Sequence, residues 1–172
     1  MLFSGVYEGK TVLVTGHTGF KGSWLSLWLD KLGAKVVGIS LDPISENSFF
    51  HANNINELLE DIRLDIRDLD QLKKIVETLQ PDFVFHLAAQ PLVKKSYEDP
   101  IETWTTNLIG TINILESLRL IKKECACVLI TSDKCYDNKE WFWGYRETDK
   151  VGGPDPYSAS KGAAELAINS YF

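Results

Sequence analysis

The chain has 172 residues, 44% of them hydrophobic and 24% charged, with a formal net charge of −6. That balance describes a folded globular protein with room for a sizeable core and excludes a disordered or fibrous chain. The negative charge offers nucleic acid or an anionic membrane no general attraction. No run approaches the ~18 apolar residues of a membrane span, and no charged-then-apolar leader is seen, so a cytoplasmic setting is expected.

Thr11 to Thr15 reads as the first strand and runs directly into G-H-T-G-F-K-G at 16 to 22. A helix is expected from Gly19 to about Leu32, closed near Gly33. Glycines at 16, 19 and 22, after a strand and before a helix, answer a physical need. The chain must turn tightly while its backbone comes close enough to hydrogen-bond a pyrophosphate, and the helix N-terminus supplies unpaired N–H groups and partial positive charge for the anion. The first gap is one residue longer than in the common dinucleotide fingerprint, and an ordinary glycine-rich turn is the plainer alternative.

Lys35 to Leu41 is the second expected strand. Asp42 follows at the distance where an acid that binds a ribose hydroxyl is expected, and no arginine follows closely, which points to NAD over NADP; a solvated surface aspartate is the alternative. Residues 42–60, with Pro43 and the Asn53-Asn54 pair, read as a loop holding at most a short helix. Ile62 to Leu64 is a short third strand. Asp65-Ile66 after it suits an adenine edge, or else Asp65 is a solvated charge beside the helix cap Asp68. From Asp68 a helix is expected through Leu79, with Leu69, Leu72, Ile75, Val76 and Leu79 at helical spacing.

Asp82 to Leu87 is the fourth strand, apolar on both faces as a strand covered by helices on both sides should be. Its end, Leu87-Ala88-Ala89, lets a flat ring and ribose pass the backbone, or merely eases packing. A polar link through Pro91 and Pro100 leads to a long helix over 101–121, and Cys127 to Thr131 is the fifth strand. Cys125, Cys127 and Cys135 are odd in number, and His17, His51 and His86 are scattered, so no metal is expected and the cysteines read as buried, reduced thiols. A loop with Trp141, Phe142, Trp143, Tyr145 and Arg146 precedes a helix running from Tyr157 to Phe172. These aromatics line a sugar site, stack a base, or pack against something outside these residues.

Strand and helix alternate throughout, which implies an α/β fold: a doubly wound parallel sheet (Rossmann fold) with helices on both faces. Ligand is then expected beyond the carboxyl ends of the strands, where the loops after strands one, two, four and five meet. Those loops would deliver Thr131-Ser132-Asp133-Lys134 and Tyr157-Ser158-Ala159-Ser160-Lys161. Residues four apart on a helix share a face, so the Tyr157 hydroxyl and the Lys161 ammonium can address one site. A phenol of pKa about 10 is a poor base at neutral pH, and an adjacent ammonium together with a nicotinamide charge lowers it.

T-G-x-x-G-x-x-G at 15 to 22, D-I-R-D at 65 to 68, H-L-A-A at 86 to 89, Asn107 in T-N-L-I-G-T and Y-x-x-x-K at 157 to 161 follow one another in a familiar order. In this the chain resembles, over nearly all its length, the extended short-chain dehydrogenase/reductase family. Within it, G-H-T-G-F-K-G, H-L-A-A-Q-P-L-V, T-S-D-K-C-Y-D-N and W-G-Y-R-E look like the CDP-glucose 4,6-dehydratase branch. The resemblance implies a lyase that uses NAD to oxidise C4 of CDP-glucose, eliminates water across C5 and C6, and returns hydride to C6. The product, CDP-4-keto-6-deoxyglucose, would feed dideoxyhexose biosynthesis.

By the same resemblance Gly16, His17, Thr18, Gly19, Phe20, Lys21, Gly22, Asp42, Asp65, Ile66, Leu87, Ala88, Ala89, Asn107, Tyr157 and Lys161 would bind the cofactor. Tyr157 would take the C4 hydroxyl proton, and Lys161 would hold the nicotinamide ribose and keep the tyrosine acidic. Ser132 would hydrogen-bond the C4 oxygen, Asp133 would protonate the departing hydroxyl and Lys134 would assist at C5. Lys134 departs from the Asp-Glu of better-known nucleotide-sugar dehydratases: it would act as a neutral amine if buried, or else steady the enolate. His17 and Lys21, where relatives carry small or apolar residues, are expected to tune cofactor affinity through charge and bulk near the pyrophosphate. Another NAD(P)-dependent sugar-nucleotide epimerase or reductase, and a non-catalytic dinucleotide-binding module, are the alternatives. Family members carry a second half with a substrate domain, so residues 1–172 read as a truncated NAD-binding Rossmann domain. Full-length members are expected to pair as homodimers through the helix at 101–121 and the one from 157.

Overall fold

The computed structural model describes residues 2–172. In chain order the elements are β1 Thr11–Thr15, α1 Phe20–Lys31, β2 Lys35–Ser40, the short α2 Phe49–Ala52, β3 Glu60–Arg63, α3 Leu69–Leu79, β4 Phe83–His86, α4 Val93–Glu98, α5 Pro100–Trp104, a π-helical turn Thr105–Ile109, α6 Gly110–Leu118, β5 Ala126–Leu129 and α7 Pro156–Tyr171. They divide into two compact units. One holds the residues up to Ala88 with Glu116–Ile130, the other Ala89–Leu115 with Thr131–Phe172.

The first unit contains the whole sheet, five parallel strands in the order β3-β2-β1-β4-β5. The chain steps one way from β1 to β3 and the other way from β3 to β4. Right-handed crossovers therefore put α1 and α3 on opposite faces, and the expected doubly wound α/β sheet is what the chain forms. Both faces are apolar for this reason. On one, Val12 and Val14 with Val36 pack against Leu29 of α1, joined by Tyr7, Phe83 and Phe85. On the other, Leu13 lies in register between Val37 and Val84, all three buried. Each such side chain contributes about 1.5–3 kcal/mol relative to exposure. Asp68 caps α3 by accepting the Gln71 N–H at 3.1 Å, and Leu72 and Val76 are its buried face.

The strand β3 begins at Glu60, two residues before the expected Ile62. It is an edge strand, and its E-D-I-R sequence has one apolar residue because an edge needs no apolar face on both sides. In the second unit, the expected plain link between Pro91 and Pro100 contains α4. The expected long helix is helical from Pro100 to Leu118, but its second turn widens into the π turn. Asp155 caps α7 by accepting the Ser158 N–H at 2.9 Å, and Pro156 occupies the first turn, where its missing N–H costs nothing. Among the described residues no helix is long and apolar enough to cross a membrane.

Candidate active site

The glycine turn leaves β1 at Gly16, which has φ +77° and sits against the end of β4: a side chain there would come within 2.7 Å of the Ala88 nitrogen. At Gly22 a side chain would come within 2.0 Å of the Gly16 carbonyl oxygen, so the first turn of α1 folds back onto the start of the loop. Ser23 completes the turn by donating to the His17 carbonyl at 2.8 Å. The capping residue of α1 is Gly19, which offers no side chain to the first N–H groups, and the first turn carries no acid. Those donors and the dipole are thus left for an anion.

Thr15 links this turn to the H-L-A-A segment. Its hydroxyl lies 2.7 Å from His86 Nδ1 and accepts the Ala88 N–H at 3.2 Å, so one side chain ties the ends of β1 and β4. Thr18 ties the turn to the other neighbour, with its hydroxyl 2.7 Å from that of Ser40 and donating to the Leu41 carbonyl at 3.0 Å. Phe20 and Lys21 are exposed. His17 is not: its ring is 0% exposed, edge-on to Phe50, with Nε2 2.9 Å from Asp61. The His17 ring is thus not free to bring charge to a pyrophosphate, the role expected of it; it seats the turn on β2 and β3.

At the end of β2, Asp42 is exposed and its carboxylate lies 3.6 Å from Arg63 Nε. Arg63 also donates to the Leu41 carbonyl at 3.0 Å and stands over the Phe50 ring. No arginine is close in sequence, yet one is close in space, because Arg63 is in register with Ser40 on the neighbouring strand. Asp65 is held by Arg67, whose hydrogen bonds lower its carboxyl pKa, and Ile66 is buried. Leu87 and Ala88 end the β4 segment of this unit.

In the second unit Tyr157 and Lys161 are both buried and lie one turn apart at the head of α7. Burial lowers the Lys161 pKa to about 8, against the pull of the Glu165 carboxylate. Ser132 caps the short turn Asp133–Cys135, accepting the Lys134 N–H at 3.2 Å, and Asp133 and Lys134 are exposed. An exposed Lys134 is not the buried amine of one expectation. Ala89 begins this unit, and Asn107 on the π turn is 1% exposed. Asn107 Oδ1 accepts the Gln90 N–H at 2.8 Å, while Nδ2 donates to the Gln90 carbonyl at 3.1 Å and to Ser160 Oγ at 3.0 Å. Its amide is thus spent on fixing the segment after β4 and the α7 turn between Tyr157 and Lys161.

The aromatic loop is shaped by Tyr136 stacked on Tyr145 with centroids 5.2 Å apart, and by a bridge from Tyr136 to Val151. Phe142 and Trp143 stand exposed at its tip, and Trp141, Trp143, Arg146 and Asp149 border a hollow of about 270 Å³. Cys135 is buried as expected, but Cys125 and Cys127 are half-buried, facing one another with sulfurs 3.8 Å apart on one side of β5. No group of three metal-ligating side chains occurs among the described residues.

Residues 13–172 match the family described as GDP-mannose 4,6 dehydratase. The chain belongs to that family. It is 52% identical over 171 residues to the CDP-glucose 4,6-dehydratase of Salmonella typhimurium LT2, covering 99% of this chain and 48% of the relative. Among solved structures, MoeE5 in complex with UDP-glucose and NAD has a TM-score of 0.74 at 30% identity, over 94% of this chain and 48% of that one. The UDP-glucose 4-epimerase of Brucella ovis in complex with NAD has a TM-score of 0.79 at 25% identity, over 95% of this chain and 48% of its own. The chain spans about half the length of the curated relatives it matches. The resemblance to extended short-chain dehydrogenase/reductases is borne out, and so is the parallel fold.

Within the GDP-mannose 4,6 dehydratase family chain, sequence reasoning passed over three charged residues that touch the expected site. Asp61 and Arg63 sat in a strand whose polarity hid it; pairing β3 with β2 from the outset would have found them. Glu165 was visible as the next member of the spacing that runs Tyr157, Lys161, Glu165.

Proposed function

We propose that the protein is a CDP-glucose 4,6-dehydratase, a lyase that forms CDP-4-keto-6-deoxyglucose and water, and that this chain is its NAD-binding half. The observation that carries the reading is the 52% identity to such an enzyme across 99% of the chain, with S-D-K and Y-x-x-x-K presented on the turn after β5 and the head of α7.

The residues present fit NAD. The glycine turn leaves no room for a side chain at Gly16 or Gly22, and the first N–H groups of α1 have no side-chain cap. Gly16, Thr18, Gly19, Phe20, Lys21 and Gly22 would hold the pyrophosphate and the bulk of the dinucleotide. Asp42 would take the adenosine ribose, Asp65 and Ile66 the adenine, and Leu87, Ala88 and Ala89 the central ribose and ring. NAD held by these residues would supply reversible hydride transfer, oxidising C4 of the sugar and later reducing C6. Asn107 would act on this site by ordering Gln90 and Ser160.

Tyr157 takes the proton of the C4 hydroxyl, with Lys161 supporting the phenolate and the nicotinamide ribose, and Ser132 hydrogen-bonds the C4 oxygen. The ketone at C4 acidifies the C5 proton. Asp133 takes that proton while Lys134 steadies the resulting enolate, and Asp133 then gives it to the C6 hydroxyl, which leaves as water; the proton that Tyr157 took from the C4 hydroxyl goes back to C5 as C6 is reduced, so the sugar loses one water with no net oxidation. A cytoplasmic setting fits three unpaired cysteines. Self-association as a homodimer fits the exposed apolar residues Ile101, Ile109 and Leu166 on the helices at 100–118 and 156–171.

Incubating the protein with CDP-glucose and NAD, and following the alkaline absorbance of a 4-keto-6-deoxy sugar, tests this. A 4-epimer or a 4-keto sugar that keeps its C6 hydroxyl would replace the dehydratase reading with an epimerase or reductase. NAD binding without turnover would leave only a dinucleotide-binding module.

A further inference from the structure

Glu165 lies one turn beyond Lys161 on α7, as Lys161 lies one turn beyond Tyr157, so the three side chains share one face of the helix. Its Oε1 accepts a hydrogen bond from the hydroxyl of Thr131, the residue immediately before Ser132. The same helix meets the turn after β5 at Gly162, where a side chain would come within 3.2 Å of the Cys135 carbonyl oxygen. One carboxylate thus joins the turn that carries Ser132, Asp133 and Lys134 to the helix that carries Tyr157 and Lys161.

We propose that Glu165 is a positioning residue for the reaction: tied to Thr131, its carboxylate fixes the Ser132 turn against α7 and keeps the buried Lys161 side chain an ammonium. This rests on the roles given above to Ser132, Tyr157 and Lys161. Lys161 is 6% exposed, and taking an ammonium out of water disfavours its charge unless an anion stands near. The groups on the elements packed against α7 do not supply one as directly. Lys95 is 2.7 Å from Glu102, and Lys94 is 4.0 Å from Glu98, so those acids are engaged, while Tyr97 is exposed. On the turn, Asp133 and Lys134 point to solvent, and the buried Cys135 thiol is itself pushed up by burial and then by the Glu165 charge. The π turn carries no titratable group.

The sign follows from charge alone. An ammonium whose pKa is already lowered to about 8 is lost as pH rises through that value, and removing the carboxylate brings the loss to lower pH. The test is the NAD dissociation constant, followed by tryptophan fluorescence between about pH 6 and pH 10, in the wild type, Glu165→Gln and Thr131→Val. Wild-type binding should weaken above pH ~8. Glu165→Gln keeps an acceptor for Thr131 but removes the charge, and should bring that weakening down by about one pH unit. Thr131→Val keeps the charge but frees the turn: the pH of weakening should stay, while kcat falls at least about tenfold.

An alkaline limb that Glu165→Gln leaves in place overturns the ammonium role. Full kcat in Thr131→Val overturns the tie to the turn, whether or not Glu165→Gln folds. A wild-type protein that binds no NAD at any pH defeats instead the reading on which this inference rests.

Discussion

Nε2 of His17 lies 2.9 Å from Oδ1 of Asp61, and Oδ2 of the same carboxylate takes Arg63 at 2.7 Å. This short string crosses from the glycine turn to the edge strand, beneath the glycine of β2: a side chain at Gly38 would come within 2.4 Å of the His17 ring. The turn expected to cradle a phosphate is therefore braced from below by a buried imidazole.

That brace titrates. Burial holds the His17 pKa below its ordinary 6.5, with the Asp61 hydrogen bond pulling the other way. The unfolded chain takes up the proton near that ordinary value, while the folded chain resists it until lower pH. The stability His17 contributes is therefore complete above pH 6.5 and is lost as pH falls from there towards the folded value. Urea unfolding at stepped pH should show the wild type losing up to about 1.4 kcal/mol per pH unit in that window from this one group. His17→Asn, less stable at neutral pH, should lose less over the same window. Parallel curves for the two proteins would remove His17 from the acid response.

Gly22 makes a plainer prediction about the turn. An alanine there would place its methyl 2.0 Å from the Gly16 carbonyl oxygen, a backbone atom that cannot swing aside. Relief requires α1 to lift from the loop, so Gly22→Ala should cost about 3 kcal/mol or more and lower the thermal midpoint by about 10 °C. A calorimetric midpoint within about 2 °C of wild type would show that the turn gives way cheaply.

The proposed ribose role of Asp42 implies a cofactor preference that can be moved. At that position its carboxylate would suit a ribose hydroxyl and repel a 2′-phosphate, while Arg63, 3.6 Å away, would welcome that phosphate if released. Asp42→Ala should weaken NAD and strengthen NADP by about tenfold each, about 1.4 kcal/mol in either direction. Titration of both dinucleotides into the wild type, Asp42→Ala and the double variant with Arg63→Ala reads this directly. The double variant should lose the gain for NADP; if it keeps it, Arg63 does not meet the phosphate.

How much of this was legible in the sequence depended on how local the signal was. The glycine turn, the cap Asp68 and the Tyr157–Lys161 spacing are written in consecutive residues, and the structure places each on the element expected. That the strands run parallel followed from the alternation of strand and helix alone. What escaped were relations between strands far apart in sequence. Arg63 reached Asp42 through strand register, and β3 was read two residues late because an edge strand need not be apolar. The π turn escaped for a similar reason: Asn107 on it bonds Gln90, a residue of another segment, and no local spacing marks the turn. His17 was misjudged in the opposite way, since a histidine beside a phosphate turn suggests charge, and only the packing of Gly38 and Phe50 shows the ring buried.

Lys134 offers the sharpest test of the chemistry. It is exposed on the turn that Ser132 caps, next to Asp133, in the segment proposed to act at C5 and C6. An ammonium there stabilises negative charge that develops only after C4 has been oxidised, so its removal should spare the first step and impair the second. Lys134→Met keeps the length of the side chain without its charge. With CDP-glucose it should still give the 340 nm absorbance of reduced cofactor in a single turnover, while formation of the 4-keto-6-deoxy sugar falls about 10²-fold or more. Elimination at the wild-type rate would take Lys134 out of the reaction and leave Asp133 and Tyr157 to carry it. Loss of the first absorbance change as well would place Lys134 in binding, not in elimination.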